Sequence, residues 1–236
     1  MRLDREAVNW VLRCRDARMP AIEILELQGV TSGPMHEQFS DNLLNLHGEE
    51  HRRLRSLVEA PFTPRAAERL RPAMRRHLEA LWEPIGRAGS CEFVSALAKP
   101  YAARMIAEIV GAPVGDAERL GEWAYWLQSV FDPSAVAGAT GSIEQANREF
   151  GSYVHALLGA PRPRDEGALL DTLHAAMAAG EVTEMQGVSL VGAVLIGGVD
   201  TTQAQPAHGI RLLAEHPSKR CGARGVSRSG GLPGAT

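Results

Sequence analysis

Residues 47–55, HGEEHRRLR, carry two chemistries that exclude one another. His47-Gly48-Glu49-Glu50-His51 fits H-x-x-E-H, the spacing with which a helix presents two imidazoles to zinc. His51 and Arg55 stand four apart, which stacks two cationic donors on one helical face and suits a ligand bearing carboxylates. A zinc pair needs both imidazoles inside one helix. Gly48 followed by Glu49 and Glu50 instead reads as a helix start, because the helix dipole favours carboxylates in a first turn. His47 then falls outside, and Arg52, Arg53 and Arg55 would crowd a divalent cation. The expectation is a carboxylate-binding pair, His51 and Arg55, and no metal-ligating side chains. An ordinary solvated charged face is the plainest competing reading, and a metal hydrolase rests on H-x-x-E-H alone.

The second chemical stretch is VSLVGAVLIGGVDTTQAQP, residues 188–206. Gly197 and Gly198 each cost a helix about 1 kcal/mol relative to alanine. Asp200, Thr201 and Thr202 then follow directly on an apolar run. Such breaches of local rules concentrate at functional sites: a loosened turn admits a small ligand, and buried hydroxyl and carboxyl groups can move protons to it. Thr hydroxyls can also bond back to the preceding turn and bend the helix. A helix end capped by glycine, with Asp-Thr starting a new element, reads the same residues equally well.

The elements that must position these groups are helical. Asp4 caps a helix that Pro20 would terminate, and an irregular stretch follows over 29–46. The helix of the opening stretch buries Leu54, Leu57 and Val58 and stops at Pro61; Thr63-Pro64 starts a short helix, and Pro72 opens another to about Gly86. Residues 90–93 read as a short strand. Helices are expected from Val94 to Gly111 and over about 115–131, 143–158 and 167–178, with Pro161-Arg162-Pro163-Arg164-Asp165-Glu166 as a surface connector. Thr183 and Gln186 form a capping box for a long helix to about Ala214, apolar on every side up to Val199 and therefore central. The fold class is mainly α.

The 236 residues, 44% hydrophobic, suffice for a substantial core. A net charge of −3 gives no global reason to bind nucleic acid or an anionic membrane. The longest nearly apolar run, Val188 to Val199, is shorter than the ~20 residues of a membrane span, and the charged start MRLDREAVNW lacks an apolar signal core. Three widely spaced cysteines, Cys14, Cys91 and Cys221, suggest neither a disulfide framework nor a structural zinc site, which fits a reducing cytoplasm.

In order and spacing, these pieces resemble the haem-thiolate monooxygenases, the cytochrome P-450 family, of the soluble bacterial type. HGEEHRRLRSLVEAPFTPRAAERLRP is similar to the family's C helix and following turn; IGGVDTT matches its I-helix pattern [AG]-G-x-[DE]-T-[TS], and IRLLAEHP resembles the close of that helix. The resemblance covers about residues 5–217, from the B helix through the I helix. It implies a partial P-450-like helical fold over 1–216, without most of the minor β-sheets. By the same resemblance His51 and Arg55 bond the propionates of haem b, and Gly197 and Gly198 make room for O2. Asp200 and Thr201 then relay protons. Met35 and Phe39, in the loop between the B and C helices, contact an apolar small-molecule substrate, or equally well merely pack a surface loop. Electrons come from a ferredoxin, docking near Arg52 and Arg53, or from a flavoprotein reductase.

The departures are equally specific. The family's axial cysteine lies in F-x-x-G-x-[HR]-x-C-x-G, whereas Ala214, Pro217 and Ala223 stand at the Phe and Gly positions around Cys221. An E-x-x-R pair after the I-helix pattern is lacking, and Pro206 removes a backbone donor within that helix. The last twenty residues hold five glycines and four cations with no acid and no apolar period. The sequence therefore reads as part of such an enzyme, cut at both ends, with an unstructured tail over 217–236 produced by a reading-frame change, and inactive as it stands. The alternative is a non-catalytic helical protein that binds a small hydrophobic ligand or haem.

Overall fold

A computed structural model describes residues 4–14, 17, 22–40, 42–160 and 167–216. The connector at 161–166, Cys221 and the tail from 217 lie outside them. Ten α-helices follow in order: α1 Arg5–Arg13, α2 Glu23–Leu27, α3 Pro34–Ser40, α4 Gly48–Glu59, α5 Pro64–Ala88, α6 Lys99–Val110, α7 Ala117–Gln128, α8 Pro133–Gly159, α9 Leu169–Ala178 and α10 Glu184–Glu215. Among the described residues there is no strand.

The centre of the molecule is α10, packed against α6, α7, α8 and α9, with α5 on the far side of α6. Its capping box is as read: Gln186 N donates to Thr183 Oγ1 at 3.2 Å, and the Gln186 side chain accepts from Thr183 N at 3.1 Å. From Gly187 to Leu195 nearly every residue is buried, and Val199 closes that stretch. Phe150 of α8 and Leu169, Leu170 and Leu173 of α9, each under 2% exposed, share one core with its own Leu190 and Leu195. Fully burying a Leu or Phe side chain contributes roughly 1.5–3 kcal/mol, so this contact outweighs the poor helix formers within α10.

Four expectations are corrected. Residues 90–93 are not a strand. Glu92 caps a helical run, accepting from Val94 N at 3.1 Å and Ser95 N at 2.6 Å, and the wide π turn Val94–Ala98 leads into α6. A single strand with no partner leaves its polar backbone unsatisfied, which a capped helix avoids. The serine and backbone donors hold the Glu92 carboxyl below its usual pKa.

Pro72 does not separate two helices, since α5 runs through it and through Pro84. Ala66, Leu70, Ala73 and His77 recur at helical spacing across the proline, and their burial outweighs one missing hydrogen bond. At the N-terminus, α1 ends at Arg13, well before Pro20, and buries no residue, so no packing extends it. Lastly, 29–46 is not wholly irregular, because α3 lies within it and seats Met35 and Phe39 in a small apolar cluster with Leu25, Val130, Val136 and Ile143.

Helix α8 starts earlier than expected, from an Asp132 cap that accepts from Ser134 N at 2.9 Å. It bends at Ala139 (φ −140°, ψ 25°), between Gly138 and Gly141 and beside Thr140, whose hydroxyl donates to the Val136 carbonyl.

Candidate functional site

Helix α4 begins at Gly48 with His47 as its extended N-cap residue, and Glu49 and Glu50 occupy its first turn. His51 and Arg55 are therefore stacked one turn apart, and His47 is off the helix. His51 is half-buried and has no partner among the described residues, whereas the Arg55 Nε donates to Glu59 Oε1 at 3.1 Å. Both side chains of that ion pair are more than half exposed, so it is worth about 0.3–0.5 kcal/mol. A ligand carboxylate competes easily with it. Of the two arginines expected near a docking partner, Arg53 donates to the Glu181 carbonyl just beyond α9, whereas Arg52 is exposed and makes no ion pair among the described residues.

Helix α10 does not end at its glycines; it continues through Gly197, Gly198 and Pro206 to Glu215. The turn from 197 to 201 has two sides. Gly197 and Thr201, four apart and both exposed, share the outer side, where the Thr201 hydroxyl donates to the Gly197 carbonyl at 2.5 Å. A Cβ placed on Gly197 would meet nothing within 4 Å. Gly198 lies inward, where a Cβ would come 2.1 Å from Ile106 Cδ1 on α6. Only one of the two glycines opens onto free space.

Asp200 is half-buried and accepts from Gln203 Nε2 at 2.6 Å; the Gln203 Oε1 is buried without a partner. Sequence reasoning passed over Gln203, although its three-residue spacing from Asp200 was the available signal.

Met35 and Phe39 line a cavity of about 30 Å³ with Leu127 and Val130 at the α7 end, Asn147 of α8 and Ser189, Gly192 and Ile196 of α10. A space of that size holds about one water. Helix α3, within a stretch expected to be irregular, and helix α10 thus share one apolar lining. His51, Arg55, Gly197 and Thr201 do not line it. Among the described residues no group of three or more His, Cys, Asp or Glu side chains is close enough to hold a metal ion.

No protein-family model matches the chain. It is 26% identical over 196 residues to luteothin monooxygenase of Streptomyces thioluteus, covering 83% of this chain and 48% of that protein. With the polyketide biosynthesis cytochrome P450 PksS of Bacillus subtilis it shares 28% identity over 183 residues, 77% of this chain and 44% of the other. The crystal structure of CalO2 superposes with a TM-score of 0.77 at 28% identity, covering 90% of this chain and 54% of that one. In sequence and in fold the chain is thus similar to cytochrome P450s. It spans about half the length of the relatives it matches.

Cytochrome P450s hold haem, and the residues present fit part of that group. Paired donors one turn apart on α4 suit its propionates, and the bare outer side of Gly197 beside the Thr201 hydroxyl suits a small ligand over its face. An axial sulfur is another matter. Of the described cysteines, Cys14 is half-buried in the cap of α1 and Cys91 is exposed ahead of α6.

Proposed function

We propose that the chain carries the distal half of a haem-dependent monooxygenase site that inserts one atom of O2 into an apolar small molecule. The observation that carries this reading is the two-sided turn of α10, with Gly197 bare, Thr201 bonded across the turn and Asp200 held by Gln203. Haem b supplies the centre at which O2 is reduced. His51 and Arg55 bind its carboxylates and so fix its tilt. Gly197 leaves volume beside the carbonyl that accepts the Thr201 proton. That hydroxyl, by rotating away from the Gly197 oxygen, can donate to a ligand, and the Asp200 side chain, held by Gln203, would take up a proton from solvent water and pass it on to the hydroxyl. Met35 and Phe39 contribute apolar contacts to the substrate. Electrons come from a ferredoxin or flavoprotein reductase in the cytoplasm.

No turnover is expected in this reading from the residues given, because the surroundings of Cys221, with Ala214, Pro217 and Ala223, depart from those of the family's axial cysteine. The test is the spectrum of the haem-loaded, reduced chain under carbon monoxide. A spectrum without the red-shifted thiolate band is expected, and a thiolate band would overturn the claim of inactivity. A second reading, a non-catalytic binder of a small hydrophobic ligand, draws on the shared lining of α3 and α10. Fatty-acid titration that saturably changes the intrinsic tryptophan fluorescence, with no haem affinity, would favour it.

A further inference from the structure

We propose that Ile106 of α6 is a positioning residue for the reactive turn of α10: its Cδ1 fills the notch left by Gly198, and this contact sets where Gly197 and Thr201 stand. The purpose of the turn rests on the monooxygenase reading above; the wedge itself does not.

The geometry is specific. Ile106 is 3% exposed on α6, where its buried neighbours are Ala102, Ala103, Met105, Ala107 and Val110. A Cβ on Gly198 would lie 2.1 Å from its Cδ1, so one of the two must shift, and 3.0 Å from its Cγ1, a tight contact in itself. The side chain thus touches backbone, so it fixes the height of α10 directly and not through a second side chain that could rotate away. Ile is stiff as well, since β-branching in a helix leaves one dominant χ1 rotamer. Leu195 and Val199, on either side of Gly198, are 0% and 2% exposed and keep the inner side of the turn shut. The outer side, Gly197 and Thr201, has no such contact. Its position is inherited from the inner one through a single helical turn closed by the Thr201–Gly197 bond. The two glycines therefore do different work: Gly198 admits an isoleucine, and Gly197 alone is left for a small ligand.

The test uses the full chain without haem, so that failure of the monooxygenase reading leaves it intact. Gly197→Ala should melt at or slightly above the parent, because alanine is the better helix former and nothing obstructs it. Gly198→Ala should melt lower by roughly 5 °C or more, as an overpacked core does. Ile106→Val removes Cδ1, and combined with Gly198→Ala it should restore more than half of the loss. Ile106→Ala supplies the positioning readout: hydrogen exchange of amides over 198–205 should quicken on the order of tenfold, while those over 187–192 keep the parent rate. Equal melting of Gly198→Ala and the parent, a double variant no better than Gly198→Ala, or equal acceleration along the whole of α10 would each overturn the proposal. If Gly198→Ala does not fold, the double variant and the Ile106→Ala exchange pattern decide.

Discussion

The two halves of α10 lie on one continuous helix and obey different rules. From Thr183 to Val199 the helix is capped, apolar and enclosed by α6, α7, α8 and α9. From Asp200 to Glu215 no residue is fully buried, and Ile210, Leu212 and Leu213 face outward on a segment that also contains Pro206. α10 is also the one helix among the described residues long and apolar enough to cross a membrane, but half of its most apolar window is buried in the protein. The enclosed half is held by packing; the bare half is held by the helix itself. The reactive turn sits at the junction, fastened on one side and open on the other, which is what a site needs in order to be both rigid and accessible.

The largest effect should come from cutting the enclosed half. Leu195→Ala, at a fully buried position, should lose about 2–5 kcal/mol in urea unfolding. Its counterpart in the bare half, Leu212→Ala, at 52% exposure, should change stability by less than about 0.5 kcal/mol. Equal losses would erase the distinction between the halves. Smaller is the cap: Thr183→Ala removes the hydroxyl that accepts from Gln186 N, leaves the bond from its own backbone N–H to the Gln186 side chain, and should cost about 1 kcal/mol, with helicity lost first over the enclosed half.

The smallest effect is electrostatic and lies outside α10. Serine and backbone donors depress the Asp132 carboxyl at the start of α8, as Ser95 and Val94 do for Glu92 ahead of α6. A carboxyl depressed in the folded state stabilises fully above its unfolded value, near 4, and that contribution fades as pH falls through the lower folded value. Protection of the first-turn amides of α8, relative to their intrinsic exchange at each pH, should therefore fall as pH drops below about 4 and become insensitive to pH in Asp132→Asn, while that at the start of α10, capped by neutral Thr183, stays level. A matching fall in α10 would contradict the assignment.

Much of this was legible in the residues. The capping box at Thr183 and the helix start at Gly48 were readable because each is set by hydrogen bonds within four residues, and both appear as expected. The unity of α5 was not, since its survival through Pro72 depends on what Ala66, Leu70 and Ala73 bury against, which no local rule contains. The strand expected at 90–93 failed for the complementary reason: strand formation needs a partner elsewhere in the chain, and Glu92 offered a local cap instead. At the site, spacing alone put His51 over Arg55 and Gly197 over Thr201. What spacing could not give was the difference between Gly197 and Gly198, because that depends on one isoleucine 92 residues earlier in the chain.

The central claim is that α4 and the α10 turn address one porphyrin, His51 and Arg55 at its edge and Gly197 and Thr201 over its face. Ferric haem titrated into the isotopically labelled chain tests this most directly, because the paramagnetic iron broadens nuclear resonances close to it. The account predicts saturable broadening of both the His51 ring and the Thr201 methyl, with Thr183 unaffected, and weaker haem binding in the His51→Ala, Arg55→Ala double variant. Broadening of one without the other, or haem affinity indifferent to the double variant, would contradict it.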